Sequence, residues 1–245
     1  MTPTLTIVVP TIGRPTLETT LQSIARQALI PGDRVIVALD TYQEPPRPDV
    51  AELVASYGFE LLEVDGGVHF MGNPQLNAAI AGCTTDYLCA LGDDDIYVDG
   101  AIERLRAKLN PGRALLFQFY APPYLVAGDP TRFVLWADRV LRVANISGCC
   151  IVAPREALVP VSDHQRCEVD FDWIVDIVAK TGHKPIWMND VLIIARPDLR
   201  NGEPVHQGIA TCPGCGFRGF REDFIGRLCE ECAPTVIAEL VGVGA

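Results

Sequence analysis

Positive charge is scarce in this chain, and lysine scarcer still: only Lys108, Lys180 and Lys184 stand among 20 basic residues, against 31 acidic ones. The formal net charge of −11 argues against a protein that coats nucleic acid, because such binding draws on clustered Lys and Arg that release counterions. It suits a soluble cytoplasmic protein that holds a cation. No apolar run reaches the roughly 18 residues that a membrane-spanning helix needs; the greasiest stretch, Leu115 to Val126, is interrupted by Pro122-Pro123. No basic segment precedes the apolar N-terminal stretch, which therefore reads as a strand and not as a signal peptide. Internal repeats and low-complexity tracts are absent, so nothing reads as disordered. What is present is core material: 49% of the 245 residues are hydrophobic, enough for one large domain or for a medium domain and a small one.

The apolar pattern alternates between strand and helix periods over the first 110 residues. Leu5–Val9, Arg34–Leu39, Phe59–Val64 and Asp86–Leu91 are short β-branched or apolar runs and predict buried strands. Between them lie helix-forming segments: one capped by Thr16 and running to Gln27, one started by Asp49, one opened by Pro74, and one capped by Asp99. Such alternation predicts βαβ units in a doubly wound, mostly parallel sheet. The second half is less regular, with strands at Ala114–Phe119, Arg132–Trp136, Cys149–Ala153, Ile186–Met188 and Val191–Ala195, and a helix over Val169–Thr181.

In doubly wound sheets ligands bind at the carboxyl ends of the strands. Pro10-Thr11, Asp40 and the run Asp93-Asp94-Asp95 all fall there. Three adjacent carboxylates leaving a buried strand repel one another unless a cation neutralises them. The pattern points to Mg²⁺ or Mn²⁺, hard cations that take carboxylate oxygens and share the rest of their shell with substrate phosphates.

In order along residues 5 to 200, the chain resembles the family 2 glycosyltransferases, whose fold is the Rossmann-like GT-A architecture. Ile7–Thr11 is similar to that family's opening strand and nucleotide-binding turn, Asp40 to its base-contacting residue, and Gly72–Asn77 to the loop and helix start beneath the diphosphate. There the family often carries Arg before the Asn, where this chain has Leu76. Leu91–Asp95 resembles the metal motif, Ser147-Gly148 the acceptor-side segment, and Glu168–Trp173 the Glu-Asp motif, with one residue inserted. The resemblance implies inverting transfer of a sugar from a nucleotide diphosphate donor, with UDP-sugars favoured, to an unidentified acceptor hydroxyl. It implies nucleotide contacts from Pro10, Thr11, Arg14, Asp40, Asn73, Asn77, Asp93 and Asp94, and a cation on Asp93 and Asp95, with His206 as a further candidate ligand. Asp170 is the expected general base and Asp172 the runner-up: two apart on a helix they face different ways, and Asp170 lies nearer the helix start, where the dipole favours a carboxylate.

Cys212, Cys215, Cys229 and Cys232 form two CxxC pairs, the spacing of a closed tetrahedral Zn²⁺ site. The expected organisation is therefore a GT-A catalytic domain over 1–207 and a small zinc-ribbon module with tail over 208–245. Three other functions share parts of this pattern: transfer of sugar to a hydroxymethylated DNA base, which the net charge disfavours; a sugar nucleotidyltransferase, which uses a Gly-rich loop after the first strand, whereas this loop (Pro10–Pro15) has one Gly; and a non-catalytic nucleotide-sugar-binding module.

Overall fold

The computed structural model describes residues 2–42, 49–66, 72–121, 134–136, 141, 146–162, 169–195 and four short backbone stretches of the tail, 209–211, 218–220, 224–225 and 228–229. Its elements are β1 (Leu5–Thr11), α1 (Leu17–Ala25), β2 (Arg34–Asp40), α2 (Val50–Ser56), β3 (Glu60–Val64), α3 (Asn73–Ala81), β4 (Tyr87–Ala90), β5 (Asp95–Tyr97), α4 (Ala101–Arg106), β6 (Leu115–Ala121), β7 (Val134–Trp136), β8 (Ile151–Pro154), α5 (Val169–Thr181) and β9 (Ile186–Ala195). In the tail, β10 (Ile209–Thr211) pairs antiparallel with β11 (Arg218–Phe220), and β12 (Phe224–Ile225) with β13 (Leu228–Cys229). His206, Cys212, Cys215 and Cys232, and the side chain of Cys229, lie outside what is described, as does Glu168.

One sheet carries the fold in the order β3-β2-β1-β4-β8-β6-β9-β5, with β7 paired to the last residues of β6, Phe119–Ala121. The β3-β2-β1-β4 half is parallel, as the alternating pattern predicts. The other half is mixed: β8 runs antiparallel to β4 and β6, β9 parallel to β6, and β5 antiparallel to β9. The expectation of a mostly parallel sheet therefore holds for the first half alone. The antiparallel pairs join strands distant in sequence, β8 with β4 and β5 with β9, so they are not successive βαβ units. Ile186–Met188 and Val191–Ala195 form one strand, β9, whose pairing with β6 shifts register near Gln118.

The strands are apolar because both faces are covered. Leu5, Ile7, Val8 and Val9 of β1 are fully buried, as are Leu115, Leu116 and Phe117 of β6. Helix α3 packs on β1, β2 and β3, α1 on β5, and α4 on β9. Thr16 stands at the expected N-cap of α1 without a side-chain capping bond, its hydroxyl buried without a partner, and the expected cap at Asp99 is corrected. The N-cap of α4 is Gly100 at φ 70°, one residue after Asp99.

The amino ends of the strands are locked by Asp33. Its carboxylate accepts the Leu5 and Ile30 N–H groups, both at 2.8 Å, and a two-pronged contact from Arg106 at 3.2 and 2.6 Å. The Asp33 and Arg106 side chains are 2% and 9% exposed, so this ion pair fastens α4 beneath β1 and β2 from inside the protein. Among the described residues no helix is long and apolar enough to cross a membrane.

Candidate active site

The sheet changes winding direction at β1: β2 lies on one side and β4 on the other. A crevice opens at the carboxyl ends of two strands that diverge in this way. Thr11 ends β1 and Asp93 follows β4, and the two meet across it. The Gly13 N–H donates to Thr11 Oγ1 at 2.8 Å, which turns the hydroxyl proton toward Asp93 Oδ2, 2.7 Å away. Arg14 Nη1 donates to Asp93 Oδ1 at 3.3 Å and to Asp94 Oδ2 at 2.9 Å. Asp93 is 5% exposed. Burial pushes its pKa above the ordinary carboxylate value, against the Thr11 hydroxyl and the Arg14 charge, which pull it down.

Asp95 is the first residue of β5. Its carbonyl accepts from Thr20 of α1 at 2.7 Å, and its N–H donates to Gly92 at 3.1 Å. The carboxylates of Asp94 and Asp95 both fold over Gly92: a Cβ there would lie 3.0 Å from Asp94 Oδ1 and 2.8 Å from Asp95 Oδ2. The bare glycine makes a cradle of two carboxylate oxygens. Among the described residues no three His, Cys, Asp or Glu side chains converge as a metal group. A cation bound with a nucleotide needs only one or two carboxylates, because phosphates complete its shell. The hard carboxylate oxygens gathered over Gly92 fit that demand.

Across the crevice, α5 begins with Val169 and Asp170. The Asp170 carboxylate accepts from the Gly148 N–H and the Ser147 hydroxyl, and burial raises its pKa in opposition to both bonds. A Cβ on Gly148 would sit 3.0 Å from Asp170 Oδ1, so any other residue there would press the carboxylate off this backbone by a few tenths of an ångström. Cys149 is buried near both acidic groups, and burial chiefly, then Asp95, with Asp170 adding, holds its thiol well above the ordinary value. Asp172 points away and is exposed.

The remaining expected residues fall into two groups. Asp40, 6% exposed at the end of β2, accepts the Tyr42 N–H at 2.9 Å and the Gly66 N–H at 3.4 Å. Pro10 lies under Gly72, whose φ of 86° and 2.8 Å separation between its Cβ position and the proline ring both demand glycine. Asn73 and Asn77 are engaged elsewhere. Asn77 exchanges two hydrogen bonds with the Val161 backbone, at 2.9 and 2.7 Å, and Asn73 donates to the Ser162 carbonyl at 3.0 Å. They tie α3 to the segment before α5, a use that sequence reading did not foresee because nothing local marks it.

The family model for glycosyl transferase family 2 matches residues 6–132. The chain belongs to that family. No curated protein matches it. Solved structures that it resembles include S. aureus TarS (12% identity, TM-score 0.61, 80% of this chain and 37% of that one) and its 1–349 fragment in complex with UDP (14%, 0.58, 80% and 62%). Another is the mannosyltransferase PcManGT from Pyrobaculum calidifontis in complex with GDP-Man and Mn²⁺ (19%, 0.57, 84% and 58%). The chain thus spans less than two thirds of these proteins, and at such identities the likeness is one of fold.

Proposed function

We propose that the protein transfers a sugar, with inversion, from a nucleotide diphosphate donor to an acceptor hydroxyl, with a divalent cation bound during turnover. The observation that carries this reading is two acidic groups that both lie near one buried thiol, Cys149: the Asp93–Asp95 run at the switch point, and Asp170 seated on Ser147-Gly148. Neighbours of the same fold, solved with UDP and with GDP-Man and Mn²⁺, support a nucleotide-sugar donor.

Each residue has work it can do in such a transfer. Asp40 accepts an N–H of the base. Thr11, its proton directed at Asp93, holds that carboxylate toward the ribose or the cation. Asp94 and Asp95 over Gly92, with Asp93, would hold Mn²⁺ or Mg²⁺, which supplies charge neutralisation to the departing diphosphate. Arg14 is free to exchange its carboxylate partners for phosphate oxygens. Asp170 takes the acceptor's hydroxyl proton as that oxygen attacks the anomeric carbon, and the nucleoside diphosphate leaves from the opposite side. A raised pKa makes Asp170 a stronger base than an exposed aspartate. We assign the CxxC pairs at Cys212, Cys215, Cys229 and Cys232 a closed, structural Zn²⁺ on their spacing alone.

The test is a panel of nucleotide sugars with Mn²⁺, screened first by thermal shift, since a ligand of the native state raises the melting temperature. The donors that bind are then assayed for the released nucleotide. Release of nucleoside diphosphate that stops in EDTA is the expected result. Release of pyrophosphate, or full activity in EDTA, would overturn the reading.

A further inference from the structure

Gln75 is an unusual residue for its place. It sits in the first turn of α3, 3% exposed, beside Leu76 and Ala79, which pack the helix on the sheet. Its Oε1 is one of four buried side-chain polar atoms without a hydrogen-bond partner among the described residues. Burying an amide without its bonds costs desolvation energy that a leucine or methionine of similar volume would avoid. Stability therefore does not explain the glutamine.

Its other end does. A Cβ on Gly66 would lie 2.8 Å from Gln75 Nε2 and 3.0 Å from Asp40 Oδ2. Amide nitrogen and carboxylate oxygen converge over the bare backbone of Gly66. Both backbone donors to Asp40, from Tyr42 and Gly66, go to Oδ1, so Oδ2 is the oxygen that shares this space with Gln75. The opposite amide orientation would set two acceptors against each other. Next to the pair, Tyr42 is 51% exposed, one of three large hydrophobic side chains open to solvent among the described residues. The site thus offers a carboxylate acceptor held by two backbone N–H groups, an amide donor beside it, and an aromatic ring.

We infer that Gln75 and Asp40 together read the nucleobase of the donor and select bases that present a ring N–H next to a carbonyl. This rests on the nucleotide-donor reading above. Asp40 Oδ2 accepts the ring N–H and Gln75 Nε2 donates to the neighbouring C=O. Uracil, thymine and guanine carry that edge. Adenine and cytosine carry a bare ring nitrogen beside an amine, which sets a lone pair against the carboxylate and a donor against the amide. Gln75 is the specificity element, because the Asp40 carboxylate alone accepts from any N–H.

The experiment titrates UDP, dTDP, GDP, ADP and CDP, each with Mn²⁺, into the full chain and its Gln75→Leu and Gln75→Glu variants by calorimetry. The wild type binds at least one of UDP, dTDP and GDP about tenfold or more tightly than ADP and CDP, the worth of one hydrogen bond. Gln75→Leu melts no lower than wild type, yet loses most of that preference. Gln75→Glu, close in shape but lacking the donor, weakens the favoured nucleotide at least as much. Unchanged affinity and preference in either folded variant would overturn the role of Gln75 and leave the donor reading standing. A wild type that binds no nucleoside diphosphate would overturn both.

Discussion

Asp33 and Asp93 are buried carboxylates at opposite ends of the same parallel strands, each facing an arginine, and their surroundings differ in kind. At the amino end, Asp33 takes two backbone N–H groups and both prongs of Arg106, whose side chain is 9% exposed. At the carboxyl end, Asp93 accepts from the Thr11 hydroxyl and the Ile12 N–H but shares its arginine, Arg14, with Asp94, and that arginine is 44% exposed. Burial raises the pKa of Asp93 in spite of its partners. The difference separates a carboxylate that holds the fold together from one that keeps charge in reserve. Structural carboxylates are saturated by bonds that never need to break. A site meant for a cation and a phosphate keeps its compensation incomplete, exposed and exchangeable.

The largest expected effect breaks the functional side of this contrast at Asp170. Asp170→Asn should keep cation-dependent donor binding and lose transfer by a factor of about 10² to 10⁴ in single-turnover assays. Near wild-type transfer in that variant, with Asp172→Asn inactive, would move the base to Asp172. The same variant carries a stability signature. Burial lifts the pKa of Asp170 in the folded protein, so between the ordinary carboxylate value and the lifted one the native state binds more protons than the unfolded chain. Stability contributed by this group then falls as pH rises through that window. Above it Asp170→Asn should melt higher than wild type, and the gap should close as the pH is lowered through it.

The structural side breaks differently. Asp33→Ala leaves Arg106 charged and buried without its partner and orphans two backbone donors, which should cost about 3–5 kcal/mol of unfolding free energy in urea titrations. Nucleotide affinity per folded molecule should not change. A loss below about 1 kcal/mol would mean that the pair is no firmer than a surface bridge. Asp95→Asn is the mirror image. It should unfold like wild type, because it relieves repulsion among neighbouring carboxylates, and should lose the dependence of nucleotide binding on Mn²⁺.

Much of this contrast could be read from the chain, and the rest could not, for physical reasons. Strand ends are legible because a buried apolar run must stop where polar side chains begin, so Asp40, Thr11 and Asp93 were identifiable as crevice residues. The helix Val169–Thr181 was legible in full from its period. The antiparallel half of the sheet was not, since short apolar strands carry no mark of direction. Nor was β5, three residues long and beginning inside the acidic run. The tie from Asn77 to Val161 and the meeting of Gln75 with Asp40 join residues 84 and 35 positions apart, and no local pattern encodes such distances. Gly66, Gly92 and Gly148 belong to the same class: each matters for the carboxylate or amide that occupies the space of its missing side chain.

The smallest effect sharpens the comparison most, because it asks whether Arg14 is the exchangeable counterpart of Arg106. Its guanidinium bonds to Asp93 and Asp94, the carboxylates proposed for a divalent cation, so the two cations compete. Arg14→Gln removes the competitor. In the absence of nucleotide, Mn²⁺ should then bind about two- to fivefold more tightly, a range set by the modest worth of a half-exposed ion pair, as read by the loss of free Mn²⁺ signal in electron paramagnetic resonance. With a nucleoside diphosphate present the sign should reverse. A guanidinium released from the carboxylates pairs with phosphate oxygens in a fork that glutamine cannot supply, so nucleotide affinity should fall. Arg14→Lys, which keeps the charge and loses the fork, should lie between. The urea midpoint should stay unchanged in both variants, unlike that of Arg106→Gln. If Arg14→Gln shifts neither Mn²⁺ nor nucleotide affinity, Arg14 is an ordinary surface partner, and exchangeable compensation at this end of the sheet has to come from elsewhere.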